Sequence, residues 1–260
     1  MNPFDLFAVI ERYHSFQNPT SEAKLDLVME YCEIRNGMRI LDVGSGKGWL
    51  LRRLARRFDV RITGLEISHI FADEARRLIV EENLQDRITI VEGPAQTFRA
   101  VAESFDIVTC IGASFALGDK GSGLSNYENA LDWMRRYARQ GGSIVIGEVF
   151  ANVHPLPDSL PRNRDYDVPL LWTLVEKMRQ RDLYLRGLVE SSLDDWNHYH
   201  SLQWQAAIDW ALENPKSDEV AQLLDPARQR LEIEADGRLI NWAVLVARNG
   251  LPHRELKCLG

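Results

Sequence analysis

An apolar run that ends in an acid and then carries glycine at every second position constrains this chain most: Ile40, Leu41, Asp42, Val43, Gly44, Ser45, Gly46, Lys47, Gly48. A helix-forming segment, 49–58, follows at once. Glycines let a backbone turn sharply and let a ligand approach its N–H groups without a Cβ in the way. A loop of this kind, placed between a strand and a helix N-terminus, serves a nucleotide-like ligand. The chain is therefore expected to contain strand–loop–helix units of an α/β fold.

The pattern downstream agrees. Apolar segments at 39–43, 60–65, 88–91, 105–111 and 142–149 read as strands, separated by helical periodicity at 49–58, 69–84 and 126–138. Such alternation predicts parallel βαβ units and a doubly wound sheet. An amphipathic helix over 4–17 and a second up to about 34 precede it. Pro155, Pro157, Pro161 and Pro169, with Asn163, mark a loop over 151–169. A helix (169–181), a sixth strand (183–189) and a seventh (239–247) follow. Helical segments at 195–213 and 217–232 lie between the last two strands. The reading is one domain over 1–260, with an N-terminal helical lid (1–34) and an inserted helical cap (192–237).

A dinucleotide fingerprint, GxGxxG, would place its third glycine at position 49, which is Trp49. The pattern Asp42-x-Gly44-x-Gly46-x-Gly48 instead resembles motif I of the class I S-adenosylmethionine (SAM)-dependent methyltransferases. The resemblance implies a Rossmann-like seven-stranded sheet, mostly parallel with an antiparallel last strand. It implies SAM as cofactor and S-adenosylhomocysteine as product. Gly44, Ser45, Gly46 and Gly48 would pass under the methionine end, and Glu66, followed by Ile67, would accept the ribose hydroxyls. Ala95 and Gln96 would meet the adenine, although Pro94 stands where the family commonly has Asp. Cys110 and Ile111 would flank the cofactor from the end of strand 4. The segments 13–24, 112–118 and 194–204 are also similar to a bacterial methyltransferase subgroup of unassigned substrate.

Methyl transfer from a sulfonium needs few catalytic side chains, because donor and leaving group come with the cofactor. Tyr13 is a candidate cofactor contact and His14 a candidate general base, since imidazole titrates near neutrality. Glu148, at the end of strand 5, sits where open α/β sheets bind ligands and is the second candidate catalytic group. Trp172, Tyr199 and Trp204 are candidate walls of the acceptor pocket.

The formal charge of -7 argues against non-specific binding to nucleic acid or an anionic membrane. Arg52, Arg53, Arg56 and Arg57 read as a solvated helix face. Three scattered cysteines (Cys32, Cys110, Cys258) fit a reducing compartment, and no signal segment or membrane span is evident, so a cytoplasmic protein is expected. No metal site is expected. The acceptor is expected to be a small molecule methylated on nitrogen or oxygen, with oligomeric state left open. An NAD(P)-dependent oxidoreductase and a non-catalytic SAM-binding regulator are the alternatives.

Overall fold

The computed structural model describes residues 2–118, 123–157 and 168–250. Pro161, Asn163 and Cys258 fall outside them. The strands are β1 (Arg39–Val43), β2 (Arg61–Glu66), β3 (Ile88–Glu92), β4 (Phe105–Ile111), β5 (Ala138–Ala151), β6 (Leu183–Glu190) and β7 (Ile240–Asn249). They form one sheet in the order β3-β2-β1-β4-β5-β7-β6. The first five run parallel, and β7 enters antiparallel between β5 and β6. Covered on both faces, β7 is buried almost throughout, which explains its apolar run from Trp242 to Ala247.

The helices are α1 (Pro3–Ile10), α2 (Glu22–Tyr31), α3 (Trp49–Arg57), α4 (His69–Glu81), α5 (Gly123–Tyr137), α6 (Leu171–Arg179), α7 (Leu193–Glu213), α8 (Val220–Leu223) and α9 (Pro226–Glu234). Leu51, Leu54 and Ala55 bury one stripe of α3. Its arginines meet acids of α2 and α4: Arg53 Nη2 and Arg57 Nη1 reach Asp26 at 2.5 and 2.9 Å, while Arg52 and Arg56 share Glu82. That row is thus an ion-paired seam between helices, and Arg52 itself is buried. The caps are local: Ser21 and Ser68 accept from the backbone of α2 and α4, and Ser192 with Asp195 closes a capping box on α7.

Several boundaries differ from expectation; the helix expected over 217–232 is two, α8 and α9, divided before Pro226. β5 extends to both sides of 142–149, because its pairing with β7 continues to Ala151. The first helix stops at Ile10 instead of reaching residue 17. Lys47 Nζ donates to the carbonyls of Glu11 and Arg12, both at 3.1 Å, and draws the chain away into turns. The stretch ends at Asn18-Pro19, where proline disfavours helix for the residue before it. α1 packs on α7, so the two helical segments expected as lid and cap touch each other.

Candidate active site

Gly44, Gly46 and Gly48 adopt φ of +71°, +53° and +71°, the left-handed region that glycine enters without strain. The Leu65 carbonyl at the end of β2 accepts from the N–H groups of Gly44 (2.9 Å) and Ser45 (3.0 Å). A Cβ on Gly44 would overlap Ala113, and one on Gly46 would overlap Gln17 Oε1. The loop is therefore roofed by residues 15–18 and flanked by the turn after β4.

Glu66 ends β2 and is buried. Its Oε2 accepts from Gly46 N–H at 2.7 Å and its Oε1 from Ser68 N–H at 2.8 Å. Burial raises its pKa, while these backbone donors oppose the shift. Each oxygen keeps a further lone pair for a ligand hydroxyl. Asp42 lies deeper, with Thr109 Oγ1 donating to its Oδ1 at 2.5 Å. Burial pushes its carboxyl up to about 7, and the neighbouring Glu66 charge adds to the effect.

Between the roof and the loop is a pocket lined by Phe16, Gln17, Asn18, Asp42, Gly44, Ser45, Lys47, Trp49 and Ile111. Phe16 and Trp49 pack there with ring centroids 4.9 Å apart. Gln17 Nε2 and Ser45 Oγ are buried without a hydrogen-bond partner. Buried polar atoms are rarely left unpaired, so two orphaned groups on one pocket mark a ligand site. The glycine cradle, the orphans and the acid at the end of β2 fit SAM: amides and small polar groups for the methionine end, a carboxylate for the ribose.

The other expected cofactor contacts divide. Ile111 lines the pocket, and Ile67 is exposed beside Glu66. Ala95 and Gln96 open a short 3-10 turn after β3, next to the end of β2, where Gly93 N–H donates to the Glu66 carbonyl at 2.8 Å. The Cys110 side chain is fully buried in the core on the α5 side of the sheet, and burial pushes its thiol pKa far up.

Tyr13 and His14 lie on the α7 side of this segment. Because the chain breaks at Ile10, both face α7, and residues 15–18 face the loop instead. Tyr13 donates its hydroxyl to Asp209 at 2.7 Å, under the Arg12 guanidinium. His14 is buried, with Nε2 3.0 Å from the Tyr199 carbonyl and Nδ1 3.1 Å from Glu11 Oε2. A carbonyl only accepts, so Nε2 carries the proton, while Nδ1 lies close to Glu11 Oε2 without a hydrogen bond between them. Burial lowers the imidazole to about 4 and raises the Glu11 carboxyl to about 7, which favours this neutral pair. The ring is buried and does not line the pocket over the glycine loop.

Tyr199 and Trp204 are half-buried and hydrogen-bonded within the helical segments. Tyr199 donates to Glu11 Oε1 at 2.8 Å, and Gln203 Nε2 donates to the same oxygen at 2.6 Å. Trp204 donates to Glu232 Oε2 at 2.6 Å and stacks on His200, whose Nε2 lies 3.0 Å from Asp236. Trp172 is highly exposed at the start of α6, which a Leu170–Ala151 bridge ties to the end of β5.

Glu148 stands at that same edge. Ser114 Oγ donates to its Oε2, and the Val149 N–H to its Oε1 at 3.0 Å. Burial raises its pKa. Sequence reasoning missed Ser114, Lys47 and Asn18; only the Asn18-Pro19 break signalled any of them.

Residues 9–157 match the family described as mycolic acid cyclopropane synthetase. The chain belongs to this family. It is 25% identical over 222 residues to the uncharacterized protein YjhP of Escherichia coli, covering 84% of this chain and 86% of that protein. It is 24% identical over 178 residues to 27-O-demethylrifamycin SV methyltransferase of Amycolatopsis mediterranei, covering 68% of this chain and 63% of the relative. In fold it resembles a SAM-dependent methyltransferase of Geobacter sulfurreducens, crystallised with S-adenosyl-L-homocysteine: TM-score 0.82 and 24% identity over 94% of this chain and 97% of the other. As a member of the synthetase family the protein is a SAM-dependent methyltransferase, with SAM as its cofactor. The oxidoreductase and regulator readings give way to it. No described helix is long and apolar enough to cross a membrane, and no described cluster could hold a metal.

Proposed function

We propose that the protein transfers a methyl group from SAM to a nitrogen or oxygen of a small-molecule acceptor, acting in the cytoplasm as one domain. When bound, SAM supplies an electrophilic methyl group and a thioether leaving group. In this reading the loop Gly44–Ser45–Gly46 and Gln17 hold the methionine end, and Glu66 receives the ribose hydroxyls. Ile67, Ala95, Gln96 and Ile111 border the adenosine. The single observation that carries it is Glu66, a buried carboxylate tied to Gly46 with lone pairs still to give. The acceptor enters at the open edge of β4 and β5, between Glu148 and the exposed Trp172. Residues 15–18 exclude water from the cofactor, which strengthens each polar contact beneath them. The rifamycin relative, named for methylation of a small-molecule oxygen, supports the acceptor class. The pairing of the α3 arginines leaves that row little charge for nucleic acid.

A second reading, transfer of a one-carbon unit to a carbon–carbon double bond, has the family description in its favour. Incubating the protein with methyl-labelled SAM and a cell extract, then separating polar metabolites from lipids, tests both. Label in a polar N- or O-methyl product supports the first; label only in lipid supports the second.

A further inference from the structure

We infer that Ser114 and Glu148 form an acceptor-binding pair, and that the acceptor presents an amine as its ammonium form. This rests on the methyl-transfer reading above and narrows it.

Ser114 follows β4 by three residues in a short 3-10 turn, and Glu148 lies near the end of β5. The turn is joined to β5, since Gly112 N–H donates to the Gly147 carbonyl at 3.1 Å. Ala113, next to Ser114, packs on Gly44 so closely that no Cβ fits there. The pair is thus one residue away from the glycine loop on the side of β4 and β5, the carboxyl edge where ligands of open α/β sheets lie.

Ser114 is buried, while Glu148 keeps part of its surface open. Among the described residues Glu148 receives only neutral donors, the Ser114 hydroxyl and the Val149 amide. Among the described residues no lysine, arginine or histidine pairs with it. Its titratable neighbours are the Cys110 thiol and the Tyr127 phenol, and neither brings positive charge. A half-buried carboxylate without a counter-cation is costly unless a ligand supplies one. An ammonium supplies both charge and donors. An alkene offers neither, and an anionic group would be repelled. Phe115 and Trp172, two strongly exposed aromatics, stand on the same edge and suit a cation.

The proton balance is simple. An N–H bond of the ammonium breaks and an O–H bond forms on Glu148. The nitrogen keeps the electron pair and becomes a nucleophile. Ser114 acts as a positioning residue, holding the carboxylate by its Oε2.

The test is calorimetric titration of n-butylamine hydrochloride into the full chain saturated with S-adenosylhomocysteine, with n-butanol as the neutral control. The amine should bind more tightly than the alcohol. Glu148→Gln should weaken it at least about tenfold and Ser114→Ala severalfold, both with unchanged S-adenosylhomocysteine affinity and melting temperature. Equal binding of amine and alcohol, or an unaltered Glu148→Gln, overturns the inference. So does a Glu148→Gln variant that loses affinity for SAM but not for S-adenosylhomocysteine, because Glu148 would then serve the sulfonium. Failure of the unaltered protein to bind S-adenosylhomocysteine would strike the cofactor reading itself.

Discussion

The amide of Gly46 donates to Glu66 Oε2 at 2.7 Å, so the carboxylate placed to receive a ribose also fixes the conformation of the glycine loop. One side chain prepares both ends of the cofactor site. Glu66→Ala should weaken S-adenosylhomocysteine binding by about 1–3 kcal/mol, through lost charge-assisted hydrogen bonds. Glu66→Gln should recover only part of this, since its amide NH2 must face one of the two backbone donors. Calorimetry on the three proteins checks the order; equal affinities would remove Glu66 from the site.

Asp42 is held up to about 7 by burial and lines the pocket. A cationic methionine end favours its ionised form, so below pH 7 binding must first expel a proton. Cofactor affinity should fall as pH drops from 8 to 6, by at most about tenfold per unit. Asp42→Asn should flatten that profile.

The Glu11–His14 pair makes stability depend on pH in two opposed ways. Glu11 is raised to about 7, so its contribution is full below its unfolded value of 4.5 and is lost as pH rises through about 7. His14 is lowered to about 4, so its contribution is present above 6.5 and is lost as pH falls through about 4. Glu11→Gln keeps the size and polarity of the side chain and cannot ionise. Its melting temperature should match the unaltered protein near pH 4.5 and exceed it above pH 8.

Lys47 joins the glycine loop to the end of α1 through two carbonyls. Lys47→Met should loosen residues 3–20 and leave the sheet intact. Hydrogen exchange should show faster exchange in α1 and in residues 11–18, with β1 and β4 unchanged.

Much of the sheet was readable because its signals are local. The apolar runs of β1, β4 and β7 and the glycines at positive φ carry their reason in their own neighbourhoods. Glu66 was readable because its distance from the loop follows from one βαβ unit. The facing of Tyr13 and His14 was not, because the break at Ile10 depends on Lys47, more than 30 residues away. Tyr199 and Trp204 have the composition of a pocket wall and of a buried strut alike. Their partners Glu11 and Glu232 decide between the two, and no local pattern names them. Ser114 belongs to no motif and becomes visible only beside Glu148.

The central claim is that the Gly44–Gly48 loop with Glu66 binds SAM. Calorimetric titration of the full chain with S-adenosylhomocysteine, with NADH as the control, tests it most directly. The structure predicts one site of micromolar affinity for S-adenosylhomocysteine, weakened by about 1–3 kcal/mol in Glu66→Ala, and no heat with NADH. Binding of NADH without S-adenosylhomocysteine would contradict it.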